Sequence, residues 1–91
     1  MDNYRPEFSD LSIENAINSV KTWIKMRLQQ KGRGVFVSSH EILGILTEEF
    51  QELKEAVRSN VYDKIQVELL DIAVGCILGI ATINDNNTDQ L

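Results

Sequence analysis

The sequence predicts an all-α protein. Three observations carry that prediction. Apolar residues recur at spacings of three and four over long stretches. A helix-start signal, Ser38-Ser39-His40-Glu41, has the form of a capping box, with Ser38 as N-cap and Glu41 reaching back. Alternation with a period of two is missing at any useful length, and Val35-Phe36-Val37 is too short to argue for a sheet. The 91 residues make one domain. A chain of this size buries only about 60–65% of the surface its unfolded form exposes.

Residues 1–11 read as an irregular lead-in, because Pro6 bars an early helix. The first helix is expected over about 12–30. Its stripe is Ile13, Ile17, Val20, Ile24 and Leu28, with Asp10 or Ser12 as the cap and Gly32 as the stop. Arg27 and Lys31 suit the negative end of its dipole. A loop through Gly34 follows. The second helix is expected over about 38–58 and the third over about 61–83. Asn60 is the residue between them that tolerates a left-handed backbone. Residues 84–91, rich in Asn and Asp, read as a disordered tail.

The formal charge of −5 does not suit nucleic-acid binding, which usually shows a basic face. Cys76 is the sole cysteine, so an intrachain disulfide is impossible, in keeping with a cytoplasmic location. The first residues are polar and lack an apolar signal core. The uninterrupted apolar run from Ile72 to Ala81 is too short to span a bilayer, so no membrane is expected.

The acids are distributed unevenly. On the second helix, Ile42, Ile45, Leu46, Phe50, Leu53, Ala56 and Val57 share one arc at about 100° per residue. Glu49 falls inside that arc and Glu52 at its edge; Glu48 and Glu55 lie toward solvent. A carboxylate on a core-facing arc needs a partner, since burial without one costs several kcal/mol or forces it neutral. A salt bridge from Lys21 or Lys25 is one such partner, and a cation shared with other carboxylates is another.

The third helix is apolar nearly all round from Ile65 to Ile83. Its exceptions, Lys64, Glu68, Asp71, Gly75 and Thr82, form one narrow strip. Such a helix must be covered on several sides. Two other helices of a short chain cannot do this, so a homodimer or homotetramer completing a four-helix-type bundle is expected. Gly75 and Gly79 lie near the strip, where they admit a close helix or leave space for a ligand. Glu49 with Glu52, and Glu68 with Asp71, are each spaced at i, i+3. Two facing pairs of this kind make an oxygen-only pocket for a hard cation such as Mg²⁺.

Other chemistries lack their residues. A di-iron bundle needs Glu-x-x-His pairs, and the one histidine, His40, is in none. The loop of an EF-hand is missing, and Gly32-Arg33-Gly34 is too short for a phosphate loop. Cys76 has no obvious His partner and reads as core. Trp23, at the edge of the first helix's stripe, reads as core or interface.

His40 through Leu53, followed by Glu68-Leu69-Leu70-Asp71, resembles the MazG-like nucleoside triphosphate pyrophosphohydrolases. Their signature is Glu-x-x-Glu, a gap, and Glu-x-x-Asp on the next long helix. The resemblance spans about residues 12–83. It implies oligomeric helical protomers in which Glu49, Glu52, Glu68 and Asp71 hold Mg²⁺, with Mn²⁺ a possible substitute. The metal would grip a nucleoside triphosphate, which water cleaves to a monophosphate and pyrophosphate. Glu48 and Glu49 are the expected catalytic carboxylates, Glu48 orienting or deprotonating the water. Lys54, Arg58 and Arg33 are candidate phosphate contacts. The chain departs from its relatives in the unusually apolar stretch after Asp71 and in ending soon after the third helix. A noncatalytic oligomeric bundle that binds a nucleotide or a protein partner is the alternative.

Overall fold

A computed structural model describes residues 5–85, and these form three helices: α1 (Asp10–Lys31), α2 (Ser39–Ser59) and α3 (Tyr62–Asn84). The expected helices are all present and no strand occurs among the described residues. Residues 1–4 of the expected lead-in and 86–91 of the expected tail lie outside the described residues.

α1 begins two residues earlier than expected because Ser9 caps it, rather than Asp10 or Ser12. The Ser9 hydroxyl accepts the Ser12 backbone N–H at 3.0 Å. Gly32, at φ 83°, ends the helix, and its N–H returns to the Leu28 carbonyl. The capping signal of α2 forms with one variation. Ser38 Oγ accepts the Glu41 N–H at 3.2 Å, but Glu41 Oε1 reaches past Ser38 to the Val37 N–H at 2.7 Å. Asn60 turns the chain at φ 58°. Val61 then starts α3 without a side-chain cap.

α2 and α3 form an antiparallel hairpin. Two glycines on α3 set its closeness. A Cβ at Gly75 would lie 3.1 Å from Leu46 Cδ2, and one at Gly79 would lie 3.3 Å from Ile42 Cγ2. Of their two expected uses, admitting a close helix is the one observed. α1 runs along α3 in the same direction and packs against α3 alone, leaving a gap between α1 and α2. The connecting loop is pinned where Phe36, 6% exposed, covers the end of α3. Its N–H points at the hydroxyl of Thr82, 3.4 Å away and 2% exposed.

Little else is buried. Buried apolar side chains among the described residues are Phe36, Ala56 and Val74. Phe50 and Val57, expected in the core arc of α2, are about half exposed. The radius of gyration is 15.7 Å, against about 12 Å for a compact chain of this length. By length and composition α3 could also cross a membrane. Its most apolar stretch has a mean hydropathy of 1.8 and is 22% buried in this chain.

Removing the α2 cap tests this local reading. Ser38→Ala is expected to lower stability by about 1 kcal/mol. Circular dichroism should then show a melting temperature lower by roughly 4–8 °C. A variant that melts with the native protein would show that the cap is dispensable.

Candidate metal centre

The close α2–α3 hairpin brings acids together. Glu49 from α2 meets Glu68 and Asp71 from α3, and one oxygen of each lies within 4.8 Å of the others. All three are partly buried. Oε2 of Glu49 and Oε1 of Glu68 are shut from solvent and have no hydrogen-bond partner. For Glu49 that leaves the expected ion pair with Lys21 or Lys25 unmade at the buried oxygen, and both lysines are exposed.

Asp71 is held differently. The Trp23 indole Nε1–H, from α1, donates to its Oδ1 at 2.9 Å. Glu52 is exposed, one turn along α2 beside Glu68. Its carboxyl lies close enough to Glu68 to raise the Glu68 carboxyl. Glu48 is also exposed, at the rim of a cleft on the other side of the cluster.

That cleft is the gap between α1 and α2, about 400 Å³ in volume. Glu48 and Glu49 stand on its α2 wall, Asp71 on its α3 floor, and Trp23, Arg27 and Lys31 on its α1 wall. The Arg27 guanidinium also lies 5.8 Å from the centre of the Phe36 ring. A second cleft of about 410 Å³ opens beside Glu52 and Glu68. The four expected ligands are thus contiguous, three clustered and Glu52 adjoining.

The three expected phosphate contacts sit elsewhere. Arg33 lines a separate cleft under the loop. Lys54 lies 5.9 Å from the centre of the Phe50 ring on the outer side of α2. Arg58 is exposed in the last turn of α2. None of the three lines either acidic cleft. The cations that line these clefts are Arg27 and Lys31 in the first and Lys64 in the second; the helix dipole alone does not account for Arg27 and Lys31. Their i, i+4, i+8 spacing with Trp23 was the available signal that they share a face.

The electrostatics follow from this placement. Burial, then the charges of Asp71, Glu52, Glu68 and Glu48, pushes the Glu49 carboxyl from its ordinary 4.5 up to about 6. Glu68 is raised by burial first, and then by Glu52 and Asp71. Hard oxygen donors, crowded and with a buried unpartnered oxygen on both Glu49 and Glu68, fit a small divalent cation. Neither protein-family models, nor curated proteins, nor solved structures give a match to this chain. What fold and site define together is a three-helix protein with an interhelical carboxylate cluster beside a cation-walled cleft.

A pH dependence follows. The raised folded-state pKa means that the folded chain holds the Glu49 proton more tightly than the unfolded chain. Without metal, this contribution to stability is present below pH 4.5 and lost as pH rises through about 6. Removing the charge with Glu49→Gln should make the metal-free protein melt higher than wild type at pH 7. The difference should shrink toward pH 5. Stabilisation by Mg²⁺ should run the opposite way in wild type, growing as pH rises through 6. Melting curves in chelator and in Mg²⁺ across that range check both signs.

Proposed function

We propose that this chain is a Mg²⁺-dependent nucleotide pyrophosphohydrolase of the MazG-like kind. It would cleave a ribo- or deoxyribonucleoside triphosphate to the monophosphate and pyrophosphate, clearing the cytoplasmic nucleotide pool of unwanted members. The observation that carries this reading is the pair of buried, unpartnered oxygens on Glu49 and Glu68, held with Asp71 beside an open cleft walled by Arg27 and Lys31. The acids call for a cation. The cations opposite call for an anion.

In this reading Glu49, Glu52, Glu68 and Asp71 hold the metal, with Mn²⁺ able to substitute. Bound there, Mg²⁺ supplies positive charge to phosphoryl oxygens and lowers the pKa of water. Arg27 and Lys31 grip the phosphate chain through their N–H groups, which keeps the leaving pyrophosphate in place. Glu48, exposed at the cleft rim, takes a proton from the attacking water. The water oxygen bonds to the α-phosphorus, the bond from that phosphorus to the bridging oxygen breaks, and that oxygen leaves with pyrophosphate. Glu49 lies next to Glu48 and keeps the negative charge of the site on the α2 wall.

Incubating the protein with each nucleoside triphosphate and Mg²⁺ should release pyrophosphate from at least one of them. Glu49→Gln with Asp71→Asn should lower that rate by at least about 10³-fold, the scale of lost charge stabilisation at a phosphoryl centre. Release that survives in the double variant would refute the site. A protein that binds Mg²⁺ but turns over no nucleotide would fit the alternative, a noncatalytic helical bundle.

The protein is expected to act as a homo-oligomer, a homodimer or homotetramer. Leu69, Ala73, Cys76, Ile80 and Ile83 follow one another along α3 at spacings of four, three, four and three, the pattern of a helix–helix seam. All but Ala73 are exposed, Ile80 at 59%. Leu43, Phe50 and Val57 make a parallel stripe on α2, also exposed. At about 100° per residue, both stripes fall on the side of the hairpin away from α1, except that Leu69 also borders a groove against α1. A second copy seated there leaves the acidic cleft open. A bilayer suits α3 less well, because Glu68 and Asp71 in its first half are carboxylates, which are expensive at membrane depth.

Ile80→Asp places a charge in the middle of that seam. It is expected to turn the oligomer into monomer in sedimentation experiments without detergent. An oligomer of unchanged mass would move the interface elsewhere.

A further inference from the structure

The geometry points to Trp23 as the positioning residue of the acidic cluster, a role that rests on the metal reading above. Trp23 and Asp71 are 48 residues apart, on helices that touch, and the indole N–H meets Asp71 Oδ1 at 2.9 Å. An indole is a donor only and carries a single N–H. It cannot take a proton from the carboxylate or compete for its second oxygen. With one oxygen engaged by a fixed donor, the Asp71 carboxylate loses its freedom to rotate, and the other oxygen stays available to a cation.

The ring is itself held in place. Trp23 lines the acidic cleft and also a groove with Val20 from α1 and Leu69 and Leu70 from α3. The indole therefore fixes where α1 sits on α3 and how Asp71 is turned, by the same contact.

The simpler account is that a packed tryptophan has found any acceptor for its N–H. Two observations favour positioning. Its acceptor is a member of the three-acid cluster, although helices offer many backbone carbonyls. Within that cluster, Glu49 and Glu68 each keep a buried oxygen without a partner, whereas Asp71 has one oxygen supplied with a donor. Carboxylate ligands are commonly fixed by such hydrogen bonds, and losing one weakens metal binding by about 10–100-fold.

Trp23→Phe keeps an aromatic ring and removes the N–H. Titrated with Mg²⁺ and Mn²⁺ by calorimetry, the variant should bind about 10–100-fold more weakly than wild type. At saturating Mg²⁺ its KM for nucleotide should stay near the native value, since the defect lies in metal affinity. The chain has one tryptophan, so wild type gives one indole N–H resonance. That resonance should shift as Mg²⁺ is added and saturate with the binding isotherm. Equal affinity in Trp23→Phe would overturn the proposal. So would an indole resonance that stays still while wild type binds Mg²⁺, which settles the matter even if the variant fails to fold. Wild type that binds neither metal would overturn the metal reading itself, a different result from either of these.

Discussion

Gly75 and Gly79 determine how near α2 comes to α3. Each leaves out a Cβ where a side chain of α2 rests, Leu46 against one and Ile42 against the other. The same approach carries Glu49, one turn beyond Leu46, against Glu68 and Asp71. Larger residues at the two glycines would push α2 outward, and the carboxylates would separate into water. The apolar contact and the acidic cluster are therefore one structural decision. Packing of the hairpin holds like charges together, and burial first, then their mutual repulsion, raises the Glu49 and Glu68 carboxyls.

α1 has a different part. It contacts α3 and stands clear of α2, so the hairpin's acids look into a cleft rather than into a closed core. A compact three-helix bundle would have buried Glu49 and Asp71 with no room for a ligand. The gap leaves α1 short of neighbours, and none of its side chains is fully buried. Trp23 compensates by wedging against α3 and bonding across to Asp71. Arg27 and Lys31, one and two turns farther along, place positive charge on the wall opposite Glu48 and Glu49.

Much of this was legible in the residues. The second and third helices, the cap at Ser38 and the stop at Asn60 were readable because they rest on local chemistry. Glu49 was readable because one carboxylate among core residues on an amphipathic helix is anomalous. Phe50 and Val57 were misplaced in the core for the opposite reason. Periodicity marks a residue as apolar but does not say whether α3 or something outside the chain covers it. The parts of Trp23, Arg27 and Lys31 were hidden because they depend on which face of α1 meets α3, a tertiary choice. Ordinary explanations, packing for one and helix dipole for the others, already accounted for these residues. Lys54, Arg58 and Arg33 show the converse, since these basic residues lie outside the acidic clefts.

Two demands are left unmet within the single chain, and α3 carries both. On one side it contributes two carboxylates to a cluster with a surplus of negative charge. On the opposite side it exposes Leu69, Cys76, Ile80 and Ile83 to water. The first demand is met by a cation and the second by apolar contact, and neither partner can serve for the other. Because both surfaces belong to one rigid helix, anything that binds the folded hairpin on either side stabilises the arrangement that the other side needs. A metal ordering Glu68 and Asp71 would steady the helix whose far face forms the seam. A second copy on that seam would steady the carboxylates in return. Under the proposed function, assembly and metal binding would reinforce each other through the stability of α3, without any change in its shape.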